Sequence, residues 1–241
     1  MYKKRIKVLP VSNGMKLAIV IPAYNEEKTI GVVVKTIPKK IVGISKQIIF
    51  VIDDGSTDKT AIMAKRAGAQ IVSHLLNQGV GAATITGLEA ARAIDADIML
   101  TLDGDGQHDP SEINEMVALI KKKKYDVVIG TRTHNRHHMP KHKAAGNFLM
   151  NWVTYVLYGL WLKDSQSGFK AFSKKAISKL ELTSNGYEIC SEIVGEIQRL
   201  KLKYTEMPIR TIYTEHSKKR GQYPLNAVNI ILKLLIRAII K

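Results

Sequence analysis

The sequence is poor in cysteine and has no long apolar run. Its single cysteine, Cys190, excludes an internal disulfide and a metal site built from several thiolates, which indicates a reducing compartment. No stretch offers about 18 consecutive apolar residues, so we expect no membrane-spanning helix. The first residues lack the apolar core of a secretory signal, so we expect no signal peptide. The 241 residues suffice for one large α/β domain or two small ones.

Acidic and aromatic residues are also scarce. The chain has 37 Lys and Arg against 21 Asp and Glu, which gives a net charge of +16. Residues 1–16 contain no acid, and nine Lys or Arg from Lys201 onward face only Glu206 and Glu215. Such a surface favours anionic partners: nucleic acid, anionic lipid or phosphorylated substrates. Aromatic residues make up only 6 % of the chain, which disfavours base stacking, so nucleic-acid binding stays a distant alternative.

Strand and helix patterns alternate through residue 130. The apolar runs predict strands at residues 17–22, 47–52, 70–73, 98–102 and 126–130, with helices between them. This alternation predicts an α/β fold with a mainly parallel sheet and helices on both faces. Gly79 and Gly81, which open the third helix, are interpreted as residues for close packing of the helix against the sheet rather than as a phosphate loop, since the third glycine of that motif is missing.

Three of these strands end in polar clusters: Tyr24-Asn25-Glu26, Asp53-Asp54 and Asp103-Gly104-Asp105. In parallel sheets, ligands bind beyond the carboxyl ends of the strands. Asp103 and Asp105 can point at one ion and Gln107 adds a neutral oxygen, a donor set that suits Mg²⁺ or Mn²⁺ with phosphate completing the shell. The alternative is a solvated loop with a helix cap before Pro110.

The second half of the chain changes character. Residues 131–143 form a basic, histidine-rich segment, which we interpret as an anion-binding loop rather than a transition-metal site. Residues 146–162 and 225–241 predict two apolar helices, each with a narrow polar stripe. They either pack against each other or lie in a membrane interface, and the interface is the favoured hypothesis. The predicted organisation is a basic tail at 1–16, a catalytic domain at 17–224 and a C-terminal amphipathic interface helix at 225–241.

Four polar motifs follow one another along the chain: Pro22-Ala23-Tyr24-Asn25-Glu26, Asp53-Asp54-Gly55-Ser56-Thr57-Asp58, Asp103-Gly104-Asp105-Gly106-Gln107-His108-Asp109-Pro110 and Asp164-Ser165-Gln166-Ser167-Gly168-Phe169-Lys170. Their order resembles the family-2 glycosyltransferases, and among these the polyprenyl-phosphate sugar synthases typified by dolichol-phosphate mannose synthase. The resemblance covers about residues 17–225. It implies a GT-A fold and a nucleotide-diphosphate sugar donor. Gly104 stands where alanine is common in the family.

The resemblance also implies roles for individual residues. The nucleotide-sugar site would comprise Pro22, Tyr24, Glu26, Ile52, Asp53, Asp54, Asp103, Gly104 and Asp105. Asp103, Asp105 and Gln107 would bind Mg²⁺ or Mn²⁺. The acceptor phosphate would meet Arg132, Arg136, Lys170, Arg210 and Lys218. Asp103, Asp105 and Arg132 would carry the catalysis.

The implied reaction is inverting, metal-dependent transfer of a mannose- or glucose-type hexose from a GDP- or UDP-sugar to a polyprenyl (dolichyl) phosphate. The enzyme would be peripheral, on the cytoplasmic face of the membrane. A phosphate acceptor is already ionised, so no strong general base is required. A sugar hydroxyl of a glycan or glycolipid is the alternative acceptor, with Glu188 or Asp164 as candidate bases. A catalytically inactive scaffold of the same fold is a further alternative.

Overall fold

A computed structural model describes residues 14–132, 141–212, 230, 231, 233 and 234. The strands are β1 Met15–Ala23, β2 Ile44–Asp53, β3 Gln70–Ser73, β4 Ile98–Thr101, β5 Val127–Thr131, β6 Lys170–Ser173 and β7 Tyr204–Pro208. The helices are α1 Ile30–Thr36, α2 Thr60–Arg66, α3 Val80–Ala93, α4 Ile113–Lys123, α5 Lys141–Tyr158, α6 Lys174–Lys179 and α7 Ile189–Arg199. A single 3₁₀ turn, Pro110–Glu112, precedes α4.

The strands form one seven-stranded sheet in the order β3-β2-β1-β4-β6-β5-β7. All neighbouring pairs are parallel except those of β6, which runs antiparallel to both β4 and β5. The mainly parallel sheet is therefore confirmed. The direction of β6 was not predicted, because its sequence shows only a turn that leads into a short apolar run.

Helices cover both faces of the sheet, as predicted. On one face, α1, α2 and α4 contribute buried residues such as Ile30, Ala64 and Met116 to the core. On the other face, α3, α6 and α7 pack over the sheet, with buried residues such as Leu88 and Val194. Each fully buried side chain of this size stabilises the fold by about 1.5–3 kcal/mol.

α1 starts at Ile30, after a turn in which the backbone N–H groups of Glu26 and Glu27 donate to Thr60 and Asp58 on the neighbouring β2–α2 connection. The bounds of α5 differ from the sequence expectation for an identifiable reason. α5 runs from Lys141 to Tyr158 rather than from 146 to 162, and it ends before Gly159, whose φ is +71°. A positive φ suits the left-handed residue that closes a helix.

α5 packs against the C-terminal helical residues. Met150 and Val153 form a small core with Ile230 and Leu234. The polar stripe of α5 points inward, since Asn151 and Thr154 are buried. The first of the two arrangements considered for these helices, mutual packing, is therefore present. Within the described ranges, no helix is long and apolar enough to cross a membrane.

Candidate active site at the carboxyl ends of the strands

The polar ends of β1, β2 and β4 lie side by side. Ala23 pairs in register with Asp53, and Val20 pairs with Thr101. The backbone N–H of Asp54 donates to the carbonyl of Ala23 at 2.9 Å, which continues the pairing past the strand end. The structure therefore brings these predicted clusters to one edge of the sheet, as parallel pairing requires.

The loop after β4 carries the predicted cation ligands. Oδ1 of Asp105 accepts a hydrogen bond from the backbone N–H of Gln107 at 3.0 Å, and its Oδ2 accepts one from the Gln107 side-chain amide. Asp103 instead contacts His108, with 2.8 Å between Oδ2 and Nε2. Asp109 caps the following turn by accepting from the N–H of Ser111 at 2.9 Å. The helix cap therefore exists beside the carboxylate pair and does not replace it.

The two carboxylates differ in acidity. Desolvation, followed by the charge of Asp103, raises the pKa of Asp105 above its usual value. Desolvation also acts to raise the pKa of Asp103, but the hydrogen bond and charge of His108, with the charges of Arg132 and Lys170, hold it below its usual value. The repulsion between the two acids is the kind that a bound divalent cation relieves. Their oxygens, with the amide oxygen of Gln107, fit a hard cation such as Mg²⁺ or Mn²⁺.

Sequence reasoning missed two residues that border Asp103. The ring of His108 is buried and holds the carboxylate from one side. From the other side, a Cβ added to Gly168 would lie 2.1 Å from Oδ1 of Asp103. Both residues stand inside the quoted motifs, but only the folded contact between β4 and the turn before β6 shows what they touch.

On the nucleotide side, the predicted residues separate into exposed and buried groups. Tyr24 is 40 % exposed, whereas Glu26, Asp53 and Asp54 are buried and Ile52 is fully buried. Glu26 accepts a hydrogen bond from the Thr29 hydroxyl at 2.9 Å. Pro22 lies beside the loop after β4, because a Cβ added to Gly104 would lie 3.3 Å from the carbonyl oxygen of Pro22. Tyr24 thus offers a surface to a ligand, whereas the three acids are enclosed by the protein.

Asp54 organises the loop between β3 and α3. Its Oδ1 accepts from the backbone N–H of Gln78 at 2.9 Å and lies 2.7 Å from Nδ1 of His74. Its Oδ2 accepts from the N–H of Gly79 at 2.8 Å. Nε2 of His74 contacts the Thr86 hydroxyl at 2.9 Å. Asp54 therefore holds the loop between β3 and α3 in place through His74, Gln78 and Gly79.

The glycines that open α3 serve close packing, as predicted, although their neighbour is a loop rather than the sheet. The N–H groups of Gly81 and Ala82 donate to the carbonyl of Asn185 at 2.7 and 3.1 Å. A Cβ on Gly81 would lie 2.1 Å from the carbonyl oxygen of Ser184. These N–H groups already have a partner, so a phosphate would have to displace Asn185 to use them.

On the acceptor side, Arg132 follows β5 and forms a bidentate ion pair with the buried Asp164. Nε to Oδ2 is 2.6 Å, and Nη2 to Oδ1 is 2.7 Å. Desolvation acts to raise the pKa of Asp164, but the charge and hydrogen bonds of Arg132 and the charge of Lys170 hold it below its usual value. Lys170 is buried at the start of β6 and its Nζ donates to the carbonyl of Ser167.

Of the remaining predicted acceptor residues, Arg210 is described by the structure and the others are not. Arg210 is exposed after β7, and its backbone N–H donates to Glu112 at 2.9 Å. Arg136 and Lys218, with the rest of the histidine-rich segment 133–140 and of 213–229, lie outside the described residues. From the predicted set, the structure brings together Asp103, Asp105, Arg132 and Lys170. Lys170 pairs in register with Thr101 of β4 and Ile129 of β5, and Gly168 borders Asp103.

Comparison with known proteins agrees with this geometry. The family model described as Glycosyl transferase family 2 matches residues 18–180. The chain is 36 % identical over 240 residues to the UDP-N-acetylglucosamine–dolichyl-phosphate N-acetylglucosaminyltransferase of Methanococcus voltae, covering 90 % of this chain and 94 % of that protein. It is 26 % identical over 235 residues to the dolichol-phosphate mannosyltransferase of Pyrococcus furiosus, covering 90 % of this chain and 61 % of that protein.

A solved structure shows the same fold. Glucosyl-3-phosphoglycerate synthase from Mycobacterium tuberculosis, crystallised with Mn²⁺ and UDP-glucose, superposes with a TM-score of 0.66 at 22 % identity, over 92 % of this chain and 77 % of that one. The fold is GT-A-like, as the sequence motifs implied. The chain belongs to glycosyl transferase family 2 and is a glycosyltransferase.

Proposed function

We propose that this enzyme transfers a sugar from a nucleoside-diphosphate sugar to the phosphate of a polyprenyl lipid, with inversion at the anomeric carbon. The observation that carries the proposal is the strand pairing at the site. β6, which begins at Lys170, lies between β4, which leads into the loop of Asp103 and Asp105, and β5, which leads into Arg132. The names of both relatives, from Methanococcus voltae and Pyrococcus furiosus, describe transfer to dolichyl phosphate. The donor named for the more similar of these two is UDP-linked N-acetylglucosamine, and GDP-mannose represents the second donor class to test.

The donor half of the site is the loop after β4. Asp103, Asp105 and Gln107 would hold a divalent cation, and Tyr24 and Asp53 would contact the base and ribose. Within the part of the chain that the structure describes, no group of three or more His, Cys, Asp or Glu side chains is arranged to hold a metal ion. Diphosphate oxygens of the donor would complete the shell around the two carboxylates and Gln107. The cation would stabilise the negative charge that develops on the departing nucleoside diphosphate, a contribution of several kcal/mol.

The acceptor half favours a phosphate over a sugar hydroxyl. A hydroxyl acceptor needs a general base within hydrogen-bond reach. Asp164 is unsuited to that role, because both its oxygens accept from Arg132 and its pKa is lowered. Glu188 is buried, accepts from the N–H of Gly186 at 3.3 Å and lies 3.5 Å from Nζ of Lys233. An ionised phosphate needs no base, and Arg132 with Lys170 would position it against the donor.

An aromatic face on α5 supports a membrane-bound acceptor. On one side of α5, and at Trp161 just after the helix, large apolar side chains are between 43 and 63 % exposed: Phe148, Leu149, Trp152, Tyr155, Val156 and Trp161. The ring of Trp161 lies edge-on to Tyr155 at 5.7 Å and to Phe148 at 6.4 Å. Exposed Trp and Tyr favour the interface between lipid and water, and the net charge of +16 favours anionic lipid. We therefore place the enzyme peripherally on the cytoplasmic membrane face.

The decisive experiment measures product chemistry. The full chain with Mn²⁺ or Mg²⁺ is incubated with dolichyl phosphate and labelled UDP-N-acetylglucosamine or GDP-mannose. We expect a labelled lipid from which mild acid releases the sugar, and loss of turnover in Asp105→Ala. Lys174→Ala is the matched control, since Lys174 pairs with Asp95 at 2.7 Å away from the site.

Each contrary result points to one alternative. A product stable to mild acid would show a hydroxyl acceptor. Full activity with excess chelator would refute the role of the cation. Absence of any heat on titration with nucleotide sugars and Mn²⁺ would favour the inactive scaffold.

A further inference from the structure

Asp103 is held by a residue to which the proposed function assigns no role. We propose that His108 is a positioning residue that fixes the Asp103 carboxylate for cation binding, and that the segment Arg210–Ile212 fixes the loop of His108 in turn. The inference rests on the proposed function, because it assumes that Asp103 is a cation ligand. It concerns the orientation of that ligand, which the sequence motif does not reveal.

The imidazole of His108 has a fixed orientation. Its side chain is 3 % exposed, and its ring lies 5.2 Å from the ring of Phe169 with the two planes tilted by 39°. An ionised carboxylate can only accept, so the hydrogen in the 2.8 Å contact belongs to Nε2 of His108. The enclosed ring therefore directs one donor at Oδ2 of Asp103, as outer residues do for ligands of bound metals.

The loop that carries His108 is held by a segment about a hundred residues away in sequence. The carbonyl of Gln107 accepts from the N–H of Ile212 at 2.8 Å, and His108 forms an antiparallel bridge with Thr211. The N–H of Arg210 donates to Glu112 at 2.9 Å. Three consecutive residues thus hold both ends of the stretch 107–112, which keeps His108 at a constant distance from β4.

The second ring nitrogen of His108, Nδ1, has no hydrogen-bond partner in the part of the protein that the structure describes. This indicates that the side chain is an imidazole because of the hydrogen bond from Nε2, and not because of its packing. Among the described residues, Nδ1 of His108, Oε2 of Glu112 and Oγ1 of Thr211 are buried without a hydrogen-bond partner in the protein. An unsatisfied buried polar atom costs about 1–3 kcal/mol, a penalty that a phenyl ring of similar size would avoid. The useful interaction of this side chain is therefore the one that Nε2 makes with Asp103.

Asp105 provides the contrast. Its hydrogen bonds come from Gln107, two residues away in the same loop. Asp103 is held by the scaffold, whereas Asp105 is held by a neighbour that is itself a predicted cation ligand. Loss of the His108 donor should therefore weaken cation binding and leave the binding of nucleotide without metal unchanged.

The test measures two affinities in the purified full chain. Binding of Mn²⁺ in the presence of UDP is followed by electron paramagnetic resonance, and binding of UDP in chelator is followed by calorimetry. We expect His108→Phe to weaken Mn²⁺ binding by about 10–100-fold, the usual effect of losing such a partner. His108→Gln, whose amide can donate to Asp103, should restore part of the affinity. Lys174→Ala is the control, because Lys174 pairs with Asp95 at 2.7 Å away from the site; it should leave Mn²⁺ affinity unchanged.

Each result decides the inference. Mn²⁺ affinity of His108→Phe within twofold of wild type overturns it, as do equal losses in the Phe and Gln variants, which would show a packing role. If the Phe variant does not fold, His108→Gln against the shorter His108→Asn carries the test, and equal affinities overturn the inference. Failure of the wild-type chain to bind Mn²⁺ with either UDP or GDP would instead refute the proposed function, and this inference with it.

Discussion

Substitution of Gly168 by alanine should separate function from stability. The new Cβ would lie 2.1 Å from Oδ1 and 2.5 Å from Cγ of Asp103. The backbone of Gly168 is held in place, because its carbonyl accepts from the Thr101 hydroxyl at 2.7 Å and the next carbonyl, of Phe169, accepts from Gly130 at 2.8 Å. The carboxylate of Asp103 must therefore move. Ordinary contact begins near 3.4 Å, so Oδ1 must shift by about 1.3 Å.

That shift should lower the unfolding free energy only slightly but should lower the catalytic rate strongly. The displaced group is the end of a side chain, and an off-rotamer side chain costs about 0.5–1.5 kcal/mol. A misplacement of about 1 Å at a catalytic position reduces the rate by about 100-fold. We therefore expect Gly168→Ala to lose about two orders of magnitude in kcat/KM while its unfolding free energy falls by less than about 1.5 kcal/mol.

The assay combines initial rates of sugar transfer with urea unfolding of the same preparations. Gly146→Ala in α5 is the matched control, since nothing lies within 4 Å of its added Cβ. It should keep full activity and gain about 0.5–1 kcal/mol, as alanine does over glycine in a helix. Wild-type kcat/KM in Gly168→Ala would refute the reasoning, and so would a loss of activity that merely follows a large loss of stability.

Three further predictions follow from the geometry. Asp164→Asn should destabilise the fold by about 1.5–3 kcal/mol at pH 7, because it replaces the charged partner in the bidentate pair with Arg132 by a neutral amide. The folded-state pKa of Asp164 is lowered, so its ionised form stabilises the fold above the unfolded pKa of about 4. Urea unfolding should therefore show that the difference in unfolding free energy between wild type and variant shrinks as the pH falls below about 4. Gly81→Ala should cost about 1–3 kcal/mol in thermal unfolding, since the backbone carbonyl of Ser184 blocks its Cβ; an unchanged melting temperature would contradict this. Asp54→Ala should speed hydrogen exchange at the amides of Gln78 and Gly79, its two backbone donors, while exchange in the sheet stays unchanged.

The sequence predicted the strands and the edge at which their polar ends meet. β3 was predicted with its observed bounds, Gln70–Ser73, because polar residues bound its short apolar run. The direction of β6 and the short helix α6 were harder to predict from the sequence. β6 gains its direction from pairing with β4 and β5 on both sides. α6 is only six residues long, and its cap is the contact of the Ser173 hydroxyl with the N–H of Ala176 at 3.3 Å.

For the candidate site, the types of residue could be proposed from the sequence, but the contacts between them could not. Paired acids after a strand are visible in the sequence, so Asp103 and Asp105 could be proposed from the sequence alone. The neighbours of Asp103 depend on long-range approach: Gly168 is 65 positions away along the chain, and a glycine reveals nothing about what touches it. Arg132 was predicted for an acceptor phosphate, but its buried partner Asp164 was considered only as a base. Hydrogen-bond partners of this kind follow from tertiary structure, which periodicity does not encode.

The aromatic face of α5 and the acceptor side of the site share one rigid connection. The side-chain amide of Asn151 donates to the carbonyl of Lys163 at 2.8 Å, and its oxygen accepts from the N–H and hydroxyl of Ser165 at 2.9 and 2.8 Å. Asp164, which holds Arg132, lies between these two anchor points. Because Asn151 is buried, its hydrogen bonds are shielded from competing water and hold the two elements together. If the proposed function is correct, a lipid surface that orients α5 would therefore orient Arg132 as well. The helix in contact with the membrane would then also position the guanidinium group that binds the acceptor phosphate.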